Sequence, residues 1–190
     1  NDDRISPGEG FDMHPHKNME VVSIPLKGYL KHGDSIENQS IITPGEIQVM
    51  STGKGIYHSE YNGSNEKDLE LLQIWIIPNK EETEPEYHNY NILPLMKHNE
   101  LATFISPNGN TPAHLLQDAW FSMGTLSANH KVSYHLQKPH TGVYFLIIEG
   151  NVDIDAENLT CRDGIGIWDT ESIIIKTNEE SQVLAIEVAL

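Results

Sequence analysis

Val22-Ser23-Ile24-Pro25-Leu26-Lys27-Gly28-Tyr29-Leu30-Lys31 returns, 122 residues later, as Tyr144-Phe145-Leu146-Ile147-Ile148-Glu149-Gly150-Asn151-Val152-Asp153. Each copy reads as an apolar run, a charged residue, a glycine and a second strand-like run. A second echo lies further on. Pro44-Gly45-Glu46-Ile47-Gln48-Val49-Met50 matches Arg162-Asp163-Gly164-Ile165-Gly166-Ile167-Trp168 at an offset of 118, each a turn followed by a strand. Self-similarity at this scale points to two copies of one β unit.

The segments between these echoes read the same way. Glu20–Leu26, Tyr29–His32, Ser40–Ile42, Ile47–Met50, Ile56–Tyr61 and Leu69–Ile77 are short β-rich runs bounded by Gly, Asn or Pro. Trp120–Leu126, Val132–Leu136, Val143–Ile148, Val152–Ile154, Ile165–Trp168, Ser172–Lys176 and Val183–Val188 follow in the second half. Short strands at this spacing predict a sandwich or barrel. Residues 79–91, with four glutamates and a proline, read as a linker or lid. Residues 92–118 give no clear pattern.

Composition narrows the function. With 12 basic and 28 acidic residues in 190, the formal charge is −16. The halves carry −9 and −7, so the acidity is spread over the chain. Such a surface repels duplex nucleic acid. No apolar run approaches the roughly 20 residues of a membrane helix. One cysteine, Cys161, excludes an internal disulfide and a cysteine-rich zinc site, and suits a reducing cytoplasm. It reads as a small buried hydrophobe in a strand.

Two pairs carry the chemistry. His14 and His16 flank a proline, and strand residues two apart face one side. His58-Ser59-Glu60 repeats that spacing. If antiparallel strands bring the pairs together, three imidazoles and a carboxylate converge on a divalent first-row metal, with positions left open for a ligand. Glu20 lies four residues beyond His16, about 13 Å along a straight strand, and reads as a supporting carboxylate. Phe11, Met13 and Met19 read as core. His32, His88, His98, His114, His130, His135 and His140 have no partner at ligand spacing and read as surface or supporting residues. At the offset of 122, His14 and His16 fall on Leu136 and Lys138. At 118, His58 and Glu60 fall on Lys176 and Asn178, so the second half is expected to hold no metal.

These motifs resemble the cupin superfamily and, more closely, the pirin family. The resemblance is carried by Asn1-Asp2-Asp3-Arg4, His14-Pro15-His16 with Met19-Glu20, Gly53-Lys54-Gly55-Ile56-Tyr57-His58-Ser59-Glu60-Tyr61-Asn62 and Gln73-Ile74-Trp75-Ile76. It covers residues 1–78 strongly and continues weakly to near the C-terminus. It implies an all-β bicupin, two face-to-face antiparallel β-barrels of the jelly-roll kind. Residues 1–92 would be a metal-binding N-terminal barrel, and residues 93–190 a degenerate C-terminal one. Family members carry a few dozen residues before the Asn-Asp-Asp-Arg segment, so upstream strands are expected to be missing here.

The resemblance also implies His14, His16, His58 and Glu60 as metal ligands, with Glu60 doubling as a catalytic base. The metal would be one divalent ion, Fe first, with Ni, Mn, Cu or Zn compatible with the donors. The implied activity is cleavage of a flavonol such as quercetin with dioxygen, by a cytoplasmic enzyme. The alternatives are a non-enzymatic metal or redox sensor that binds a regulatory protein partner, and a zinc-type sugar isomerase.

Overall fold

A computed structural model describes residues 1–190, and it is built almost wholly of strands. The chain divides into two compact units, residues 1–93 with 115–117, and residues 94–114 with 118–190. No helix is long and apolar enough to cross a membrane.

Unit 1 contains β1 (Asp2–Ile5), β2 (Gly10–His16), β3 (Glu20–Lys27), β4 (Leu30–Asp34), β5 (Gln39–Ile42), β6 (Glu46–Ser51), β7 (Ile56–Asn62), β8 (Leu69–Ile76) and β9 (Glu86–Asn91). They form two antiparallel sheets, ordered β1-β8-β3-β6-β9 and β2-β7-β4-β5. A single 3-10 turn, Leu93–Leu95, follows. Unit 2 contains β10 (Ala102–Ile105), β11 (Ala119–Leu126), β12 (Lys131–His135), β13 (Thr141–Glu149), β14 (Asn151–Ile154), β15 (Glu157–Thr160), β16 (Gly164–Trp168), β17 (Ser172–Thr177) and β18 (Ser181–Ala189). Its sheets are ordered β10-β11-β18-β13-β16 and β12-β17-β14-β15.

Apart from the edge strands β9 and β10, the strand orders are the same. The repeated sequences fall on equivalent strands: β3 with β13, β4 with β14, β6 with β16. The double repeat is therefore a repeat of topology as well as of pattern, and the all-β, two-fold cupin arrangement holds. The central strand β3 is buried along Glu20–Pro25, as a strand with neighbours on both sides and a covered face should be. Pro25 cannot donate to a ladder, and the register with β8 shifts just after it, between Pro25 and Lys27.

The two units differ in what fills them. Unit 2 buries hydrocarbon: Leu126, Tyr134, Val143, Phe145, Ile147, Val152, Ile154, Ile173, Ile175, Val183 and Ala185 form one cluster. Unit 1 buries smaller apolar clusters around Leu30 and Leu71 and around Val21 and Met50. Beside them it buries Ser23, His32, Gln48, His58, Glu60, Asn62 and Gln73. The strand registers make the exchange explicit. Leu30 pairs with Asn62 and His32 with Glu60, while Val152 pairs with Thr177 and Ile154 with Ile175. His58 and Glu60 thus correspond to Ile173 and Ile175. His14, opposite His58, corresponds to Tyr134, opposite Ile173. This corrects the sequence offsets, which place the counterparts at Lys176, Asn178 and Leu136. Loop lengths differ between the repeats, so one constant offset cannot follow every strand.

Three other expectations fail. Residues 79–91 are not a lid or linker throughout, because Glu86–Asn91 pairs along the whole of β6 as an edge strand. Polar residues on both faces hide such a strand from a periodicity reading, and charge at an edge discourages further pairing. Cys161 is exposed in the turn after β15, its thiol donating to the Ile148 carbonyl at 3.2 Å. Phe11 and Met13 are 43% and 56% exposed and so are not core, whereas Met19 does pack against Val21, Met50 and Ile56.

Candidate metal centre

β7 reads Ile56-Tyr57-His58-Ser59-Glu60-Tyr61-Asn62, and alternation buries Ile56, His58, Glu60 and Asn62. A strand that sends three polar side chains inward needs partners for them. β2 supplies two. His14 lies directly opposite His58, and His16 opposite Ile56. Between Phe11 and His14 the register slips by one residue, a bulge of the kind that re-aims side chains near functional sites. Gly10 is required beside it. A Cβ there would sit 2.3 Å from the Glu60 carbonyl oxygen and 2.5 Å from the Tyr61 Cα.

The three imidazoles form a triangle. Ring centroids are 4.9 Å apart for His14–His16, 4.4 Å for His14–His58 and 4.8 Å for His16–His58. One ring nitrogen from each lies within 4.8 Å of the others. His14 Nδ1 meets the Asp12 carbonyl at 2.7 Å. A carbonyl only accepts, so Nδ1 carries a proton, and in the neutral imidazole Nε2 keeps its lone pair. His16 Nε2 and both nitrogens of His58 are buried without a protein hydrogen-bond partner. Burial, helped by the neighbouring imidazoles, pushes His58 down to about 3. Burial, with His14 beside it, lowers His16 as well. Both are therefore neutral near pH 7 and bind an ion without first losing a proton. Unpaired, neutral, converging imidazole nitrogens are the donor set a first-row divalent ion takes, so the residues present fit a metal.

Glu60 is placed differently from the other three. Its carboxylate lies within 4.8 Å of a nitrogen of His58 and of His32, a second group that shares only His58 with the first. Glu60 Oε1 accepts from Ser23 Oγ at 3.0 Å and Gln48 Nε2 at 2.9 Å, and Oε2 accepts from Gln73 Nε2. The orientation of both amides is set from behind. Tyr87 donates to Gln48 Oε1 at 3.2 Å and Trp75 Nε1 to Gln73 Oε1 at 3.0 Å, so each NH2 must face Glu60. Three neutral donors compensate the buried charge. They leave one of the roughly four lone-pair positions of the carboxylate free, on Oε2.

Glu20 belongs to neither group. It accepts from Ser51 Oγ at 2.8 Å and from the Leu116 amide at 3.3 Å. His32, read from sequence as a surface or supporting residue, is 1% exposed and stands beside His58, with ring centroids 5.5 Å apart. A signal was available: His32 and Asp34 share the spacing of the other pairs. It was masked because Gly33-Asp34-Ser35 reads as a turn, whereas β4 runs through Asp34. The remaining histidines, His88, His98, His114, His130, His135 and His140, are exposed or half-buried.

Around the site, Trp75 is 52% exposed and meets His16 edge to face at 4.9 Å. Met13, Gln39, Ser59 and Tyr61, with His32 and Asp34, line a pocket of about 320 Å³.

A two-fold cupin arrangement with converging imidazoles in one unit defines a bicupin with a candidate metal centre. Residues 1–76 match the model of the family described as Pirin, and residues 103–188 that of the Quercetinase C-terminal cupin domain. A protein of Escherichia coli strain K12 named quercetin 2,3-dioxygenase is 34% identical over 188 residues, covering 99% of this chain and 80% of that one. The crystal structure of YhhW from Escherichia coli superposes with a TM-score of 0.93 at 33% identity, covering 99% of this chain and 79% of that one. The nickel(II) complex of bacterial pirin YhhW gives 0.92 at 32% identity, covering 99% and 80%. The chain belongs to the pirin family.

Proposed function

We propose that this protein is a metal-dependent dioxygenase that cleaves a flavonol such as quercetin. The observation that carries the reading is the convergence of His14, His16 and His58, each with an uncommitted neutral nitrogen. Relatives named quercetin 2,3-dioxygenase and the nickel(II) complex of a structural neighbour support it. In this reading His14, His16 and His58 hold one divalent ion, with iron first and nickel, manganese, copper or zinc compatible with the donors. Glu60 completes the set through its remaining Oε2 lone pair. Residues 1–92 form the metal-binding cupin domain, and residues 93–190 a degenerate one whose counterpart positions are Tyr134, Ile173 and Ile175. A reducing cytoplasm suits the single exposed Cys161.

The ion would supply Lewis acidity toward the vicinal oxygens of the substrate and a place for dioxygen. The chain supplies the rest. The half-buried His14 and His16 leave the outer side of the triangle open to a ligand. Trp75 offers aromatic surface beside His16 for a flat aromatic ring. Glu60 is the nearby carboxylate able to take a hydroxyl proton, and its three donors hold it in place.

The test is dioxygen uptake with quercetin by iron- or nickel-loaded chain, beside His58→Ala treated in the same way. Metal-dependent uptake that vanishes in the variant supports the reading. A fully loaded chain that consumes no dioxygen with flavonols contradicts it.

A further inference from the structure

We propose that His32 and Asp34 form a positioning relay behind His58, with His32 accepting the proton of the His58 nitrogen that faces away from the bound ion. The inference rests on the metal reading above and goes beyond its ligand set.

His32 Nε2 lies 3.0 Å from Asp34 Oδ2, with both side chains out of solvent contact. A carboxylate accepts, so the proton sits on Nε2, and in the neutral imidazole His32 Nδ1 is a lone pair. That nitrogen is buried without a protein partner. Asp34 is itself held from behind. Its Oδ1 accepts the Ile36 and Asn38 amides, each at 3.0 Å, and its Oδ2 accepts Asn38 Nδ2 at 2.9 Å. Tyr87 stacks on the His32 ring at 4.3 Å and 17°, which fixes the plane of the imidazole.

Neutral His58 has one lone pair and one N–H, and neither has a partner. Once the lone pair is committed to the ion shared with His14 and His16, the N–H needs an acceptor. The His32 lone pair is the uncommitted one beside it. The ring centroids are 5.5 Å apart. A ring-to-ring N–H···N bond of about 2.9 Å, with each ring adding about 1.1 Å, calls for roughly 5.1 Å. With one ion and one such bond, all four buried unpartnered imidazole nitrogens of the site are satisfied. An ion held instead by His32, His58 and Glu60 leaves His16 Nε2 and one His58 nitrogen unpaired, so the relay accounts for more. Outer partners of this kind set the tautomer of a ligating imidazole and raise its basicity, and losing one typically weakens metal binding about 10–100-fold.

The experiment uses the full chain with 15N-labelled histidine, loaded with zinc(II) and read by long-range 1H–15N correlation. The expected spectrum gives His58 one metal-shifted nitrogen and one protonated nitrogen whose proton is protected from exchange. His32 shows a protonated Nε2 and an unprotonated, metal-free Nδ1. His32→Ala loses the protected His58 proton and weakens zinc binding by about 10–100-fold. His32→Gln, whose amide oxygen can accept the same proton, recovers part of that affinity. A metal shift on a His32 nitrogen makes His32 a ligand and overturns the relay. Zinc bound with the His58 proton unprotected overturns the relay alone. A wild-type chain that takes up no zinc overturns the metal reading and the relay together.

Discussion

Replacing His58 with leucine separates the cost of building the metal site from the benefit of filling it. His58 is fully buried, and neither ring nitrogen has a protein hydrogen-bond partner. A buried polar atom left unpaired costs about 1–3 kcal/mol, while an apolar side chain of similar size carries no such penalty. Counting one full penalty for the pair, His58→Leu should stabilise the metal-free protein by about 2 kcal/mol. For a chain of this length that is a rise of roughly 4–8 °C in Tm. Nickel(II) at a hundred times its Kd should raise the wild type by about 2.7 kcal/mol and leave the variant unmoved. The two curves therefore cross: the variant melts higher in chelator, and the wild type melts at least as high in nickel. Thermal melts followed by circular dichroism, in EDTA and in excess nickel(II), give both numbers. A variant that melts below the wild type in EDTA would refute the reasoning, because the His58 nitrogens would then be well satisfied without metal. A nickel-dependent rise retained by the variant would remove His58 from the ligand set.

Glu60→Gln should lose most metal affinity and any turnover, because the amide is a poor ligand and no base. Glu20→Gln, at a carboxylate bonded to Ser51 and the Leu116 amide, should keep most of its metal. Metal analysis of the two purified variants decides, and the reverse pattern would exchange their roles. Gly10→Ala forces a Cβ against the Glu60 and Tyr61 backbone, so β2 must part from β7. Its expected cost is about 1–3 kcal/mol, with weaker nickel binding by calorimetry. Phe145→Ala empties a fully buried ring position in the unit 2 core and should cost about 3–5 kcal/mol in chemical denaturation. Its metal stoichiometry should stay at one.

Much of the fold was legible because its strands are apolar and its turns are marked by glycine. β3 and β13 are the clearest cases: each carries a mostly apolar run ending in a charged residue, with a glycine next. What escaped was strand without hydrophobic signal. β1 is Asp2-Asp3-Arg4-Ile5 and β9 is Glu86-Tyr87-His88-Asn89-Tyr90-Asn91; both lie at sheet edges, where one side of the ladder is open and polar residues are tolerated. β15, Glu157–Thr160, is polar for the same reason.

The site was half legible. His14, His16 and His58 follow from same-face spacing, and the structure brings them together. The cage around Glu60 was not, because Ser23, Gln48 and Gln73 come from three strands of the facing sheet. Only the fold places them side by side. His32 was missed because a glycine inside β4 resembles a turn. The counterparts in unit 2 were misassigned by a constant offset, and pairing registers correct them to Tyr134, Ile173 and Ile175.

The central claim is that one ion sits where the three imidazoles of unit 1 converge. Anomalous diffraction from crystals of the nickel-loaded chain, collected at the nickel absorption edge, tests it directly. The account predicts a single peak per chain, within bonding distance of His14, His16 and His58 and on the Glu60 side of the triangle. A peak in unit 2, a peak held by His32 without His14 and His16, or a fully soaked crystal with no peak at the triangle would contradict it.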